Sequence, residues 1–101
     1  MLGVSVIIPT LNRAPLVSRA VESALSALSD EDELIVVDDG STDGTSEALA
    51  RYEGQIHVLR GRGAGVGAAR NAGMREATRD LLAFLDDDDE WMEDKIDLQR
   101  K

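Results

Sequence analysis

Four short apolar runs, separated by stretches of a different periodicity, constrain the fold of this chain. The runs occupy residues 4–8, 33–37, 56–59 and 81–85, and the first ends at Pro9. Such runs, rich in β-branched residues, are typical of strands buried on both faces of a parallel sheet. The segments between them have helical apolar spacing or capping residues and predict helices over residues 15–29, 46–52 and 68–78. An amphipathic pattern predicts a closing helix over residues 91–100.

The resulting order, β-α-β-α-β-α-β-α, predicts an α/β fold with three layers. Right-handed crossovers between parallel strands place helices on both faces of a Rossmann-like sheet. The length of 101 residues, 43% of them hydrophobic, fits a single domain with one modest core. Ligands of such sheets bind beyond the carboxyl ends of the strands. We therefore expect the functional residues to follow the apolar runs.

Charge and composition exclude several classes of function. The formal net charge of -9 argues against a nucleic-acid partner, because binding to a phosphate backbone depends on clustered Lys and Arg. The chain has no cysteine, so disulfides and thiolate zinc sites are impossible. The first residues lack the basic and apolar regions of a signal peptide, which predicts a cytoplasmic protein.

Two of the predicted strands end in carboxylates. Asp38 and Asp39 follow the second strand, where they either contact a ligand or form an acidic turn that caps the next helix. The fourth strand leads into four consecutive carboxylates. These like charges require a cation, and hard divalent ions with oxygen ligands suit them best. We interpret Asp86 and Asp88 as metal ligands; the alternative is a solvated acidic loop at the start of a helix.

A glycine-rich segment, residues 61–67, leads into the third helix. The helix amino terminus could bind phosphate through free N–H groups, or the segment could be a flexible loop. A dinucleotide-binding motif is disfavoured, because its glycines follow the first strand of a fold and these follow the third. Arg70 and Asn71 open the helix, either as phosphate contacts or as solvent-facing residues. His57, the only histidine, is expected on the polar side of a strand or at its edge.

Taken in order, these segments resemble the amino-terminal half of family 2 glycosyltransferases of the glycosyltransferase-A fold. The similarity is carried by residues 4–13 (VSVIIPTLNR), 35–43 (IVVDDGSTD), 65–73 (GVGAARNAG) and 84–91 (FLDDDDEW). Together they span most of the chain. The resemblance implies a single nucleotide-sugar-binding domain over residues 1–101, truncated before the acceptor-binding half of a glycosyltransferase-A domain.

The resemblance also implies roles for individual residues. Pro9 and Thr10 would line the nucleoside pocket, Asp39 would contact the base, most often uracil, and Asp38 would support the same turn. Arg70 would lie near the diphosphate, and Asp86 and Asp88 would form the metal motif that holds Mg²⁺ or Mn²⁺. The full set of implied nucleotide-sugar contacts is Pro9, Thr10, Asn12, Asp38, Asp39, Arg70, Asn71, Asp86 and Asp87.

The implied activity is metal-dependent transfer of a sugar from a nucleotide-diphosphate donor, most often a UDP-sugar, to an acceptor hydroxyl with inversion. The general base is expected beyond Lys101, so the 101 residues should bind nucleotide weakly and should not turn over. The acceptor would be a carbohydrate or lipid-linked molecule, met at the inner face of the membrane in the full-length protein. Uncovered sheet edges predict self-association. Two alternatives stay open, a non-catalytic binding or interaction module of the same fold and a nucleotidyltransferase.

Overall fold

Strands and helices alternate along residues 3–85 and 97–100, the part of the chain that the computed structural model describes. The strands are β1 (Val4–Thr10), β2 (Glu33–Asp38), β3 (His57–Arg60), β4 (Leu81–Phe84) and β5 (Asp97–Arg100). The helices are α1 (Ala14–Ala27), α2 (Thr45–Ala50) and α3 (Val66–Glu76). The predicted order of elements is therefore confirmed through β4, with boundaries that differ by at most two residues.

The strands form one sheet in the order β3-β2-β1-β4-β5. The pairs β3–β2, β2–β1 and β1–β4 are parallel, whereas β5 is antiparallel to β4. The parallel register places Thr10 beside Asp38 and Asp38 beside Arg60, so β1, β2 and β3 end at the same level. This alignment brings their carboxyl ends to one side of the molecule.

Helices cover both faces of the sheet, which confirms the predicted three-layer α/β/α architecture. Val6 and Ile8 of β1 pack in one cluster with the buried apolar residues of α1 and α2. Ile7, which points the opposite way because side chains alternate along a strand, packs with Ala69 of α3 in a second cluster. All three β1 residues are fully buried. This two-sided burial explains why the first apolar run is continuous rather than alternating.

Strand β1 continues two residues beyond the predicted end, through Pro9 and Thr10. Leu85 donates its N–H to the carbonyl of Ile7 at 3.1 Å, and alternation along the strand then directs the backbone of Pro9 toward the same side. Pairing with β4 ends at the Ile7–Phe84 pair. Proline has no N–H to donate, so its position just past this pair costs no ladder hydrogen bond.

The predicted helix over residues 91–100 is wrong for residues 97–100, which form β5; residues 91–96 lie outside the described part. The four residues pair with β4 from Leu81–Arg100 to Phe84–Asp97. The pairing satisfies backbone groups along the outer side of β4, which a helix at this position would leave without a strand partner. Tertiary pairing thus overrides the local amphipathic pattern.

The amino end of the sheet is held by the buried carboxylate of Glu33, whose side chain is only 8% exposed. It accepts hydrogen bonds from the Ser5 hydroxyl at 2.6 Å, the Thr78 N–H at 2.7 Å and the Thr78 hydroxyl at 3.0 Å. One side chain therefore joins β2 to β1 and to the α3–β4 connection.

His57 lies on β3, at the border of the sheet, as the sequence predicted. Its side chain is 68% exposed and lies 3.8 Å from the carboxylate of Glu33.

Close packing of α3 against the sheet predicts a specific response to substitution. A Cβ at Gly73 would lie 2.6 Å from Cγ2 of the fully buried Ile7, so Gly73→Ala is expected to lower the free energy of unfolding by about 1–3 kcal/mol despite better helix propensity. Gly67, in the same helix, has nothing within 4 Å of that position. Gly67→Ala is the matched control and should raise stability by about 0.5–1 kcal/mol. Urea unfolding followed by circular dichroism checks both, and equal shifts would contradict the packing argument.

No helix among residues 3–85 has the length and apolar character required to cross a bilayer.

Candidate functional site

The carboxyl ends of β1 and β2 form the floor of the candidate site. Asp39 donates its N–H to the carbonyl of Thr10 at 2.9 Å, and Gly61 donates to the carbonyl of Asp38 at 2.7 Å. Pro9, Thr10, Asp38 and Asp39 are all buried. The structure therefore brings these four predicted residues together where the topology placed them.

The carboxylate of Asp39 organises the glycine-rich loop. Its Oδ1 accepts from the N–H of Gly63 and its Oδ2 from the N–H of Gly65, both at 3.0 Å. Gly63 and Gly65 have φ values of 73° and 101°, which L side chains rarely adopt. The glycines thus let the loop wrap around Asp39. This contact fixes the position of the glycine-rich segment, which the sequence analysis allowed to be a flexible loop. It also occupies two of the backbone N–H groups that could otherwise bind a phosphate.

Asp38 holds the turn that follows β2. Its side chain is almost fully buried, and Oδ1 accepts from the N–H of Ser41 at 2.9 Å. Oδ2 accepts a longer hydrogen bond, 3.4 Å, from the hydroxyl of Ser46, which in turn accepts from Nη2 of Arg60 at 3.0 Å. This chain of contacts links the ends of β2 and β3 through α2.

Asn12 joins the loops that follow β1 and β2. Its backbone is left-handed, with φ of 52°, a conformation that asparagine tolerates better than most residues. Its N–H donates to the Ser41 hydroxyl at 2.8 Å, and its Oδ1 accepts from the N–H groups of Thr42 at 2.8 Å and Asp43 at 3.3 Å. The side-chain oxygen of Asn12 is therefore occupied by backbone donors.

Asp43 lies at the amino end of α2, beside these loops. Its carboxylate accepts hydrogen bonds from the Thr45 hydroxyl, from the Thr45 N–H at 2.9 Å and from the Ala14 N–H at 3.4 Å. The Thr45 hydroxyl, together with these N–H donors, holds the pKa of Asp43 below its usual value and outweighs the opposing effect of burial. Asp43 thus accepts the N–H of the first helical residue from a position two residues before it.

Arg70 lies on α3 with its guanidinium carbon 5.8 Å from the centroid of the Phe84 ring, within cation–π range. Phe84 is the last residue of β4, so Arg70 lies at the point where the chain enters the acidic run. Asn71, the next residue, is exposed on α3. Asp86, Asp87 and Asp88, predicted to bind metal and nucleotide, lie outside the described residues. Within the described part, no group of three or more His, Cys, Asp or Glu residues could hold a metal ion.

A cavity of about 330 Å³ beside Asp39 was not predicted from the sequence. Its lining combines a floor of alanines with the arginines Arg60, Arg62 and Arg75. We call it the arginine cavity. Local positive charge of this kind contrasts with the net charge of -9 and suits an anionic group. The sequence did contain a sign of this cavity. Arg60 and Arg62 closely follow the apolar run of residues 56–59, which places them at the same sheet edge as Asp39.

Two exposed apolar side chains flank the same end of the sheet and were also missed. Leu11, one residue after Thr10, is 47% exposed, and Val66, the first residue of α3, is 56% exposed. Exposed apolar groups beside buried carboxylates and arginines are features of small-molecule sites, which combine apolar walls with a few polar groups. The arrangement can therefore hold a ligand that has a flat or apolar part and an anionic part.

Comparison with known proteins gives consistent matches. The family model described as Glycosyl transferase family 2 matches residues 5–99. A putative teichuronic acid biosynthesis glycosyltransferase of Bacillus subtilis is 40% identical over 100 residues, covering 95% of this chain and 40% of the relative. The curated relatives are all longer, and the chain spans between 14% and 40% of their length.

Solved structures show the same correspondence. A mannosyltransferase from Pyrobaculum calidifontis, in complex with GDP-Man and Mn²⁺, superposes with a TM-score of 0.78 at 31% identity, over 87% of this chain and 28% of that one. Glucosyl-3-phosphoglycerate synthase from Mycobacterium tuberculosis, with Mn²⁺, UDP and glucosyl-3-phosphoglycerate, superposes with a TM-score of 0.73 at 28% identity, over 85% of this chain and 33% of that one. In both cases the match covers about a third or less of the neighbour's own chain.

Proposed function

This chain belongs to glycosyl transferase family 2, and from that premise we propose that it forms the donor-binding part of an enzyme that transfers a sugar from a nucleotide-diphosphate donor to an acceptor hydroxyl. The observation that carries the proposal is the convergence of Thr10, Asp39 and the arginine cavity at the carboxyl ends of adjacent parallel strands. Ligands of open parallel sheets bind at this edge. We further propose that residues 1–101 act as one nucleotide-sugar-binding unit.

The nucleoside is proposed to bind among Pro9, Thr10, Asn12, Asp38 and Asp39. Each oxygen of Asp39 accepts one glycine N–H and keeps a second lone pair. An acceptor-only group of this kind favours a base that presents a ring N–H, such as uracil or guanine, because that donor can pair with the free lone pair. UDP is the first choice, supported by the UDP complex of the Mycobacterium tuberculosis enzyme; the GDP-Man complex keeps guanine as the second.

The diphosphate is proposed to lie between Arg70, Asn71 and the acids Asp86, Asp87 and Asp88. We assign the metal ligands to the acidic run, Asp86 and Asp88, because Asp38 holds the turn after β2 and Asp39 is assigned to the nucleobase. Carboxylate oxygens suit Mg²⁺ or Mn²⁺, and Mn²⁺ is present in both structural neighbours. Such a cation, when bound, would stabilise negative charge on the departing diphosphate as a Lewis acid. The guanidinium of Arg70, aimed at the end of β4 by Phe84, would orient the same group.

Transfer is proposed to invert the configuration at the anomeric carbon, which requires a carboxylate base on the face opposite the leaving group. Asp38 and Asp39 are committed to backbone and hydroxyl donors, so we place the base outside the 101 residues. The acceptor is proposed to be a carbohydrate or a lipid-linked molecule, handled in the cytoplasm at the inner face of the membrane. The name of the teichuronic acid relative supports polysaccharide synthesis for the cell envelope as the process.

The metal role is tested by calorimetric titration of the chain with UDP, with and without Mn²⁺. Asp88→Ala is expected to weaken UDP binding about tenfold or more in the presence of Mn²⁺ and to leave metal-free binding unchanged, because it removes a ligand of the cation alone. Asp89→Ala removes the same charge one residue further along and serves as the matched control, with an effect within about twofold. Equal Mn²⁺-dependent affinities for the two variants would exclude the Asp88 role. The same titration with GDP in place of UDP shows whether the site prefers uracil or guanine.

A further inference from the structure

The outer side of β3, which we call the open edge, is the border of the sheet on the β2 side within the described part of the chain. Gly61 donates its N–H to the carbonyl of Asp38, so alternation directs the backbone groups of Leu59 and Gly61 toward β2. The backbone N–H and C=O groups of Val58 and Arg60 then point outward. The Val58 side chain, at 45%, is also unusually exposed for its type. The open edge therefore presents a template for a further strand.

Space for the side chains of an added strand exists on both faces of β3. On the α2 side, a cavity of about 300 Å³ has apolar lining from Leu49, Ile56 and Val58. On the α3 side, a cavity of about 420 Å³ is lined by Ile35, Leu59 and their neighbours. Side chains of a paired strand point alternately to the two faces, so both cavities would be used.

Charge is distributed unevenly along the open edge. At its carboxyl end lie Arg60 and Arg62, which line the arginine cavity. At its amino end, Glu53 forms a β-bridge with Ile56, the residue before β3. A second strand with the same charges would meet opposite charges if it ran antiparallel, and like charges if it ran parallel.

We propose that the open edge is an interface between two copies of this chain, in which β3 pairs with β3 antiparallel across a two-fold axis. A two-fold interface requires a self-complementary surface, and a strand that is basic at one end and acidic at the other meets that requirement. Arg60 and Arg62 of one copy then lie on the side of Glu53 of the other. Backbone hydrogen bonds from Val58 and Arg60 join the two sheets into one, and apolar side chains of each β3 enter the cavities of its partner.

All the groups that would form the interface belong to the chain itself, so the test needs neither nucleotide nor metal. A single strand pair is at the small end of specific interfaces, and we expect half-association at roughly 100 µM rather than at nanomolar concentration. Sedimentation velocity from about 10 µM to about 1 mM should show a monomer–dimer equilibrium that about 0.5 M NaCl weakens. A chain that stays monomeric throughout this range would overturn the proposal.

Val58→Pro identifies the strand that pairs. It removes an outward N–H and leaves the ladder to β2 intact, so the dissociation constant should rise about tenfold or more. Val58→Thr retains the N–H and the β-branched shape, and should change the constant by less than about threefold. If the proline variant stays folded by circular dichroism and dimerises like the wild type, β3 is not the interface.

A charge reversal provides the second measurement, which decides the question if Val58→Pro fails to fold. Arg62→Glu alone and Glu53→Arg alone should each weaken association about threefold or more, because each places like charges together across the two-fold axis. The double variant Arg62→Glu/Glu53→Arg restores opposite signs and should recover most of the wild-type affinity. Additive weakening in the double variant, or no effect of either single change, would contradict antiparallel pairing.

Discussion

Replacing Asp39 with alanine is expected to weaken UDP binding about tenfold or more and to lower the free energy of unfolding by about 2–3 kcal/mol. Two losses contribute. The N–H groups of Gly63 and Gly65 lose their charged acceptor, so the glycine-rich loop is no longer held against the end of β2. The proposed acceptor for the base is removed with it. Calorimetric titration with UDP and urea unfolding measure the two effects separately.

The matched control is Asp30→Ala, which removes the same charge from an exposed position. It should alter stability by less than about 0.5 kcal/mol and leave UDP affinity unchanged. Asp39→Asn keeps one carbonyl oxygen and can serve only one of the two glycines, so it should be intermediate in stability. Unchanged UDP affinity in a folded Asp39→Ala protein would limit Asp39 to a structural role.

Glu33→Ala is expected to produce the largest loss of stability, about 3 kcal/mol or more. The Ser5 hydroxyl is fully buried and would lose its acceptor, as would the N–H of Thr78. The same change removes the side-chain link from β2 to the start of β1 and to the α3–β4 connection. Urea unfolding checks the prediction, with Glu31→Ala as the control, because Glu31 carries the same charge two residues earlier on an exposed side chain. Similar losses in the two variants would indicate a general charge effect.

The contribution of Glu33 should also depend on pH. Burial raises the pKa of this carboxyl, but the hydrogen bonds from Ser5 and Thr78 and the charge of Arg79 outweigh it, and the pKa falls below its usual value of 4.5. A carboxyl whose pKa is lower in the folded than in the unfolded state stabilises the fold above its unfolded value. That stability is lost as the pH falls from 4.5 through the folded value. Between about pH 7 and about pH 3.5, the wild type should therefore lose more stability than Glu33→Gln, whose side chain does not titrate.

Some elements of this fold depend on neighbouring residues alone, and others depend on contacts between distant parts of the chain. The apolar runs predicted β1, β2 and β4 because burial between two layers leaves a continuous hydrophobic signature that depends on nearby residues alone. The run at β3 also marked a strand, but most of its side chains are exposed, so the expected burial on both faces is wrong there. The predicted helix at residues 97–100 failed because its amphipathic pattern carries no information about the outer side of β4. That strand needed a partner for its backbone groups, and residues 97–100 form it.

The α/β class, the succession of elements and the edge at which polar residues gather follow from the order of residues alone, because periodicity and turn residues act over a few neighbours. What those polar residues contact depends on how distant segments of the chain fold together. Asp39 meets Gly63 and Gly65 across 24 and 26 positions, and Asn12 meets Thr42 across 30. Such contacts arise when separate loops fold over a shared sheet edge, and a one-dimensional pattern contains no distance between them. The arginine cavity and the charge pattern of the open edge could not be predicted from the sequence for the same reason.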